Sequence, residues 1–135
     1  MDRMRFNVET LGLGRRGLAG EPLVYHCNFY NYWLQKTVLL VDGLGMEEVI
    51  QDAAASSVYS CLTGLGGTDS GQAEALFSAL GFGLIDLSSV TADGGPVTTS
   101  VSHYGQCLDV AAGAPFAKPQ SRFDAGFAAG AGAWA

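Results

Sequence analysis

His26 and Cys27 are neighbours in the sequence, and His103 and Cys107 stand four residues apart. Two imidazoles and two thiolates are a donor set for tetrahedral zinc or iron. His26, Cys27, His103 and Cys107 therefore form a candidate metal quartet, provided the fold brings the two pairs together. A single His-Cys and a single H-x-x-x-C lack the repeated C-x-x-C spacing of structural zinc sites, so everything depends on that convergence. The same residues admit a second chemistry. Cys27 can act as a thiolate nucleophile, His103 as its general base, and Asp109 or Asn28 as the group that orients the imidazole, the arrangement used in acyl transfer and hydrolysis. Cys27 falls near the expected start of a helix, where the partial positive charge of the terminus favours a thiolate. Plainer roles stand beside these: Cys27, Cys61 and Cys107 as small buried hydrophobes, and His103 as a hydrogen-bonded histidine on the inner face of a strand.

A binding chemistry is written in the aromatic residues. Tyr25, Phe29, Tyr30, Tyr32 and Trp33 crowd one segment and cover more than one side of any helix it forms, so they cannot all face one core. Some are expected to line a cavity or an interface. The expected pocket lies between this helix and the inner face of a later hairpin, with His26, Tyr30, Trp33, Val101 and His103 as its ligand-binding residues.

These side chains must be positioned by elements, and the apolar spacing predicts them. Residues 1–21, with Gly12, Gly14, Gly17 and Gly20 around Arg15 and Arg16, read as an irregular arm that is flexible or ordered by a partner, and 22–135 as the folded domain. A first helix is predicted from Pro22 to about Val41, ending at Asp42-Gly43. A second begins behind Glu47 and Glu48, carries Val49, Ile50, Ala53, Ala54, Val58, Cys61, Leu62 and Leu65, and stops at Gly66-Gly67. A third, shorter helix is predicted from Ser70 to Leu80 with Ser70 as its cap. The period then changes. Gly83–Thr91 and Pro96–Tyr104 flank Ala92-Asp93-Gly94-Gly95, a hairpin signal, and place Val97, Thr99, Val101 and His103 on one face, expected to be the inner one. A final helix alternates small residues with Phe123, Phe127 and Trp134, a pattern that permits close backbone approach. The fold class is α+β: a single domain of helices packed on an antiparallel hairpin or small sheet.

Composition narrows the partners. The 135 residues carry 7 basic and 13 acidic side chains, a formal net charge of -6, with the basic ones scattered. Such a surface repels a phosphate backbone, which argues against nucleic acid. The most apolar run, Leu34–Leu44, is interrupted by Gln35, Lys36 and Asp42 and falls short of the roughly 20 residues that span a bilayer, so membrane insertion is not expected. The polar start lacks an apolar signal segment, and three cysteines are an odd number without framework spacing; both point to the cytoplasm. The aromatic surplus and the small-residue helix predict a homo-oligomer or a second subunit. Gly12-Leu13-Gly14-Arg15-Arg16-Gly17 fits G-x-G-x-x-G in letters, yet no strand-rich segment precedes it, so it does not mark a dinucleotide site. No particular cofactor is indicated.

The order of parts, with Ala79-Leu80-Gly81-Phe82-Gly83 closing the third helix and Pro119-Gln120-Ser121-Arg122-Phe123-Asp124-Ala125-Gly126-Phe127-Ala128-Ala129-Gly130 opening the last, resembles the 4-vinyl reductase-type ligand-binding domain, a relative of TRAPP trafficking subunits. The likeness spans about residues 25 to 132. It implies a pocket between helices and sheet that holds a small apolar or aromatic compound, and frequent dimerisation. Ser121 stands where that family often has cysteine, which weakens a metal or acylation role at that position. The Gly-Phe-Gly and closing-helix style is also similar to aminothiazoline-carboxylate hydrolases, which keeps an enzyme in play. Nothing in the chain resembles a flavin or nicotinamide site.

Overall fold

The computed structural model describes residues 9–12, 15–18, 21–23, 28–39, 45–66, 69–106 and 121–135. Three short strands come first: β1 (Glu9–Gly12), β2 (Arg15–Leu18) and β3 (Glu21–Leu23), antiparallel in the order β1-β2-β3. Gly12, Arg15, Arg16 and Gly17, read as part of an irregular arm, therefore lie in a small sheet, and Leu18 at the end of β2 is buried in the common core; Gly14 and Gly20 lie outside the described residues. Pro22 pairs with Gly17 on the edge strand β3 instead of opening the first helix. An edge strand is a position that tolerates the missing N–H, so the same proline serves either element.

Helix α1 runs from Asn28 to Leu39 and α2 from Met46 to Leu65. Glu47 and Glu48 occupy the first turn of α2, where the helix dipole favours them. Its last turn closes on Gly66, whose φ of 64° only glycine adopts cheaply and whose N–H meets the carbonyls of Leu62 and Thr63. Helix α3 (Ser70–Ala79) is capped by Asp69, not Ser70: the Asp69 carboxylate accepts from the Gln72 N–H at 3.1 Å. The final helix, α4 (Arg122–Trp134), is capped by Ser121, whose Oγ accepts from the Asp124 N–H at 3.2 Å.

The hairpin forms with shorter arms than the Val- and Thr-rich runs predict: β4 (Gly83–Asp86) pairs antiparallel with β5 (Thr98–Ser102). Asp86 ends β4 by accepting from both the N–H and the hydroxyl of Ser88, a local turn that competes with strand pairing. The chain reverses at Thr91 and Gly94, which exchange two backbone hydrogen bonds of 3.0 Å. Residues 103–106 are helical.

Helices α2 and α4 make the most extensive contact between elements. A methyl group on Gly126 would collide with the Gln51 carbonyl, and one on Gly130 with the Ala55 backbone. The small-residue face of α4 is thus consumed inside the molecule. Phe77, Phe127, Leu62, Leu76 and Leu87 are the largest fully buried side chains, and Trp134 packs against their cluster. Glu74 ties α3 to the hairpin arm by accepting from the Leu87 N–H at 2.8 Å. The architecture is a single α+β domain. Among the described residues no helix is long and apolar enough to cross a membrane.

Candidate functional site

Helix α1 is turned against its own polarity. Asn31 and Gln35, one helical turn apart, face inward, while Tyr30, Trp33 and Leu34 lie exposed, Trp33 at 56%. A polar pair faces inward here partly because it has a partner: Asn31 Nδ2 lies 2.7 Å from His103 Nε2, at the end of β5. The amide donates and the ring nitrogen accepts, which requires a neutral imidazole, and burial pushes the His103 pKa below its ordinary value. His103 is hydrogen-bonded, as its plainer reading expected, but it stands in the helical segment after β5 instead of on a strand face.

An open-sided cavity of about 760 Å³ lies between α1 and α2. Leu34 and Val38 contribute from α1, Ile50, Val58 and Cys61 from α2, and Leu76 and Leu80 from the α3 side. One end is aromatic. Tyr104 stacks on Phe123 with centroids 3.9 Å apart, and Phe82 meets Phe123 edge-on at 4.9 Å. Exposed Ser56, Ser57 and Ser60 line the cavity from α2. Gln35 also lines it, is only 6% exposed, and its Nε2 has no acceptor among the described residues. The described lining residues include no Asp, Glu, Lys, Arg or His. They offer shape, apolar surface and a few neutral hydrogen-bonding groups, and no acid–base pair.

The predicted pocket residues are placed elsewhere. Tyr30, Trp33, Val101 and His103 do not line this cavity. Val101 is 44% exposed because a bulge in the hairpin breaks the alternation: Leu84 pairs with Val101 and Ile85 with Thr99, leaving Ser100 as the extra residue. Val101 consequently turns outward and Ser102 inward. Cys61, read as a plain buried hydrophobe, is half-buried on the cavity wall. Of the metal quartet and the nucleophile set, His103 and the alternative orienter Asn28 lie among the described residues; His26, Cys27, Cys107 and Asp109 lie outside them. Among the described residues no three His, Cys, Asp or Glu side chains gather as a metal site.

A second cleft of about 360 Å³ lies between the hairpin and α4, with Val97, Thr99 and Asp124 among its lining. Asp124 is 4% exposed. Burial raises its pKa; the Ser102 and Ser121 hydroxyls offset part of this without closing a hydrogen bond on either carboxylate oxygen. Sequence reasoning missed Asp124, because an acidic residue in a first helical turn reads as a dipole partner in solvent. It also missed Gln35, whose type predicts a solvated face, whereas Phe82 drew notice only within the resemblance motifs and Phe123 there and as a large residue of the final helix.

No family model matches the chain, and no curated protein or solved structure was found to match it.

Proposed function

We propose that this domain binds a small apolar or aromatic molecule in the cavity between α1 and α2. The observation that carries the proposal is a space of about 760 Å³, within the range of small-molecule pockets, whose lining is mainly apolar and aromatic and includes the buried Gln35 amide, which has no acceptor among the described residues. A bound carbonyl or hydroxyl oxygen next to Gln35 offsets the cost of that orphan donor, about 1–3 kcal/mol for a buried unsatisfied group. The resemblance to 4-vinyl reductase-type domains points to the same class of activity. An enzyme working through Cys27 would need groups outside the described residues.

The test is a titration with N-phenyl-1-naphthylamine, an uncharged dye that brightens in apolar sites, run beside iodoacetamide labelling of Cys61. Saturable binding of one dye per chain, with slower labelling of Cys61 in its presence, is expected. Absence of saturable binding, or binding that leaves Cys61 labelling unchanged, counts against the cavity.

A second copy of the chain is the partner that the exposed face of α1 favours. Tyr30, Trp33 and Leu34 recur one turn apart and are all about half exposed or more, with Lys36 the cation over the Trp33 ring at 5.0 Å. A stripe whose neighbouring charge is the Lys36 cation meets a copy of itself away from the acidic excess behind the net charge of -6.

A further inference from the structure

We infer that the ligand of the α1–α2 cavity is electrically neutral: a drug-sized ring compound, the class such a volume holds, carrying hydroxyl or carbonyl groups and no carboxylate, phosphate or ammonium. The inference rests on the binding proposal above and goes beyond it in fixing the ligand's charge.

The lining carries the argument. The described lining residues comprise apolar and aromatic side chains, Gln35, the serines of α2 and Cys61, with no charged side chain among them. The charged residues nearest in sequence are spent or turned away. Arg122 next to Phe123 bridges Glu47 at 2.7 Å, Asp124 on the other side of Phe123 lines the separate cleft between the hairpin and α4, Lys36 next to Gln35 lies over Tyr32 and Trp33, and Asp52 next to Ala53 is exposed on α2. An ionic group buried against this lining gives up hydration without gaining a countercharge, and the penalty for an unpaired charge far exceeds that for an unpaired hydroxyl. A neutral oxygen instead finds donors in Gln35 Nε2, which has no acceptor among the described residues, and in the serine hydroxyls. Ring systems find a matching surface in the stacked Tyr104–Phe123 pair and the edge of Phe82.

Two dyes with one skeleton test this: N-phenyl-1-naphthylamine, which is neutral, and 8-anilinonaphthalene-1-sulfonate, which adds a sulfonate. Each is titrated into the full chain and into Ala53→Arg, which places a guanidinium at an exposed cavity-lining position of α2. The neutral dye is expected to bind the unmodified chain at least tenfold more tightly. In Ala53→Arg the ratio is expected to fall by tenfold or more, because the new cation pairs with the sulfonate. Equal affinities, or tighter sulfonate binding, in the unmodified chain overturn the neutrality inference and leave the binding proposal standing. Binding of neither dye overturns both. A preference for the neutral dye that Ala53→Arg leaves unchanged overturns the assignment of that preference to this cavity. Far-ultraviolet circular dichroism of the variant identifies loss of fold, in which case Ala53→Gln and Ala53→Lys supply the same comparison.

Discussion

Asp124 is the residue whose environment departs furthest from what its type prefers. Its carboxyl group is buried, and neither oxygen meets a donor within hydrogen-bond geometry. Ionisation in the folded state is therefore disfavoured, and the pKa rises above the ordinary carboxylate value of 3.8. The sign of the pH effect follows. Between the unfolded and folded pKa values the folded chain binds more protons, so stability falls as pH rises through that window and is regained on acidification. His103 acts the other way, since its lowered pKa costs stability as pH falls below 6.5. The comparison of wild type with Asp124→Asn cancels the histidine term. Asp124→Asn is expected to be more stable than wild type near pH 7, because the amide has no charge to bury, with the gap narrowing toward pH 4. Denaturant melts at the two pH values measure it, and a gap that widens on acidification contradicts the assignment.

At the scale of elements, the packing of α4 on α2 is set by glycine. The Gly130→Ala substitution gains up to about 1 kcal/mol of helix propensity, yet its methyl group would strike the Ala55 backbone, which no rotamer change relieves. Overpacking of this kind costs about 1–3 kcal/mol, so a net loss of about 1–2 kcal/mol is expected in thermal or chemical denaturation. A net gain would mean that the two helices sit further apart. Helix α2 was legible in the sequence because its apolar spacing, acidic first turn and terminal glycine all name the same boundaries. Strands β1 to β3 were not, since runs of three or four residues rich in Arg and Gly carry no alternation to read. The hairpin's existence was legible from Ala92-Asp93-Gly94-Gly95. Its inner face was legible for Val97 and Thr99 and not beyond, because one bulge at Ser100 turns Val101 outward and Ser102 inward. The cavity escaped for a related reason: α1 gives it Leu34, Gln35 and Val38, of which Gln35 reads as a solvated polar position, and its apolar residues from α2 read as ordinary core.

For the molecule as a whole, the exposed apolar surface is unevenly placed. Leu84 and Val101 form an exposed cross-strand pair on the hairpin, and Tyr30, Trp33 and Leu34 form the stripe on α1. The small-residue helix that pointed to an oligomer is satisfied within one chain, so the α1 stripe is what remains to support a second copy. Trp33→Ala is expected to shift a dimeric mass in light scattering to that of one 14.0 kDa chain. Its cost to monomer stability should stay well below the roughly 3–5 kcal/mol of a buried tryptophan, because the ring is half in solvent. A mass of one chain for the unsubstituted protein at micromolar concentration removes the dimer proposal, and a large loss of stability would place Trp33 in the core.

The Glu47–Arg122 bridge joins the start of α2 to the start of α4 across 75 residues of sequence. During synthesis at about 5–20 residues per second, α2 therefore emerges about 4–15 s before the helix that covers it. Throughout that interval Ala54, Val58 and Leu62, all buried in the finished fold, lack the Phe127 surface that completes their core. The nascent chain thus presents a chaperone-binding stretch whose lifetime is set by the ribosome, and slow codons between the two helices lengthen it.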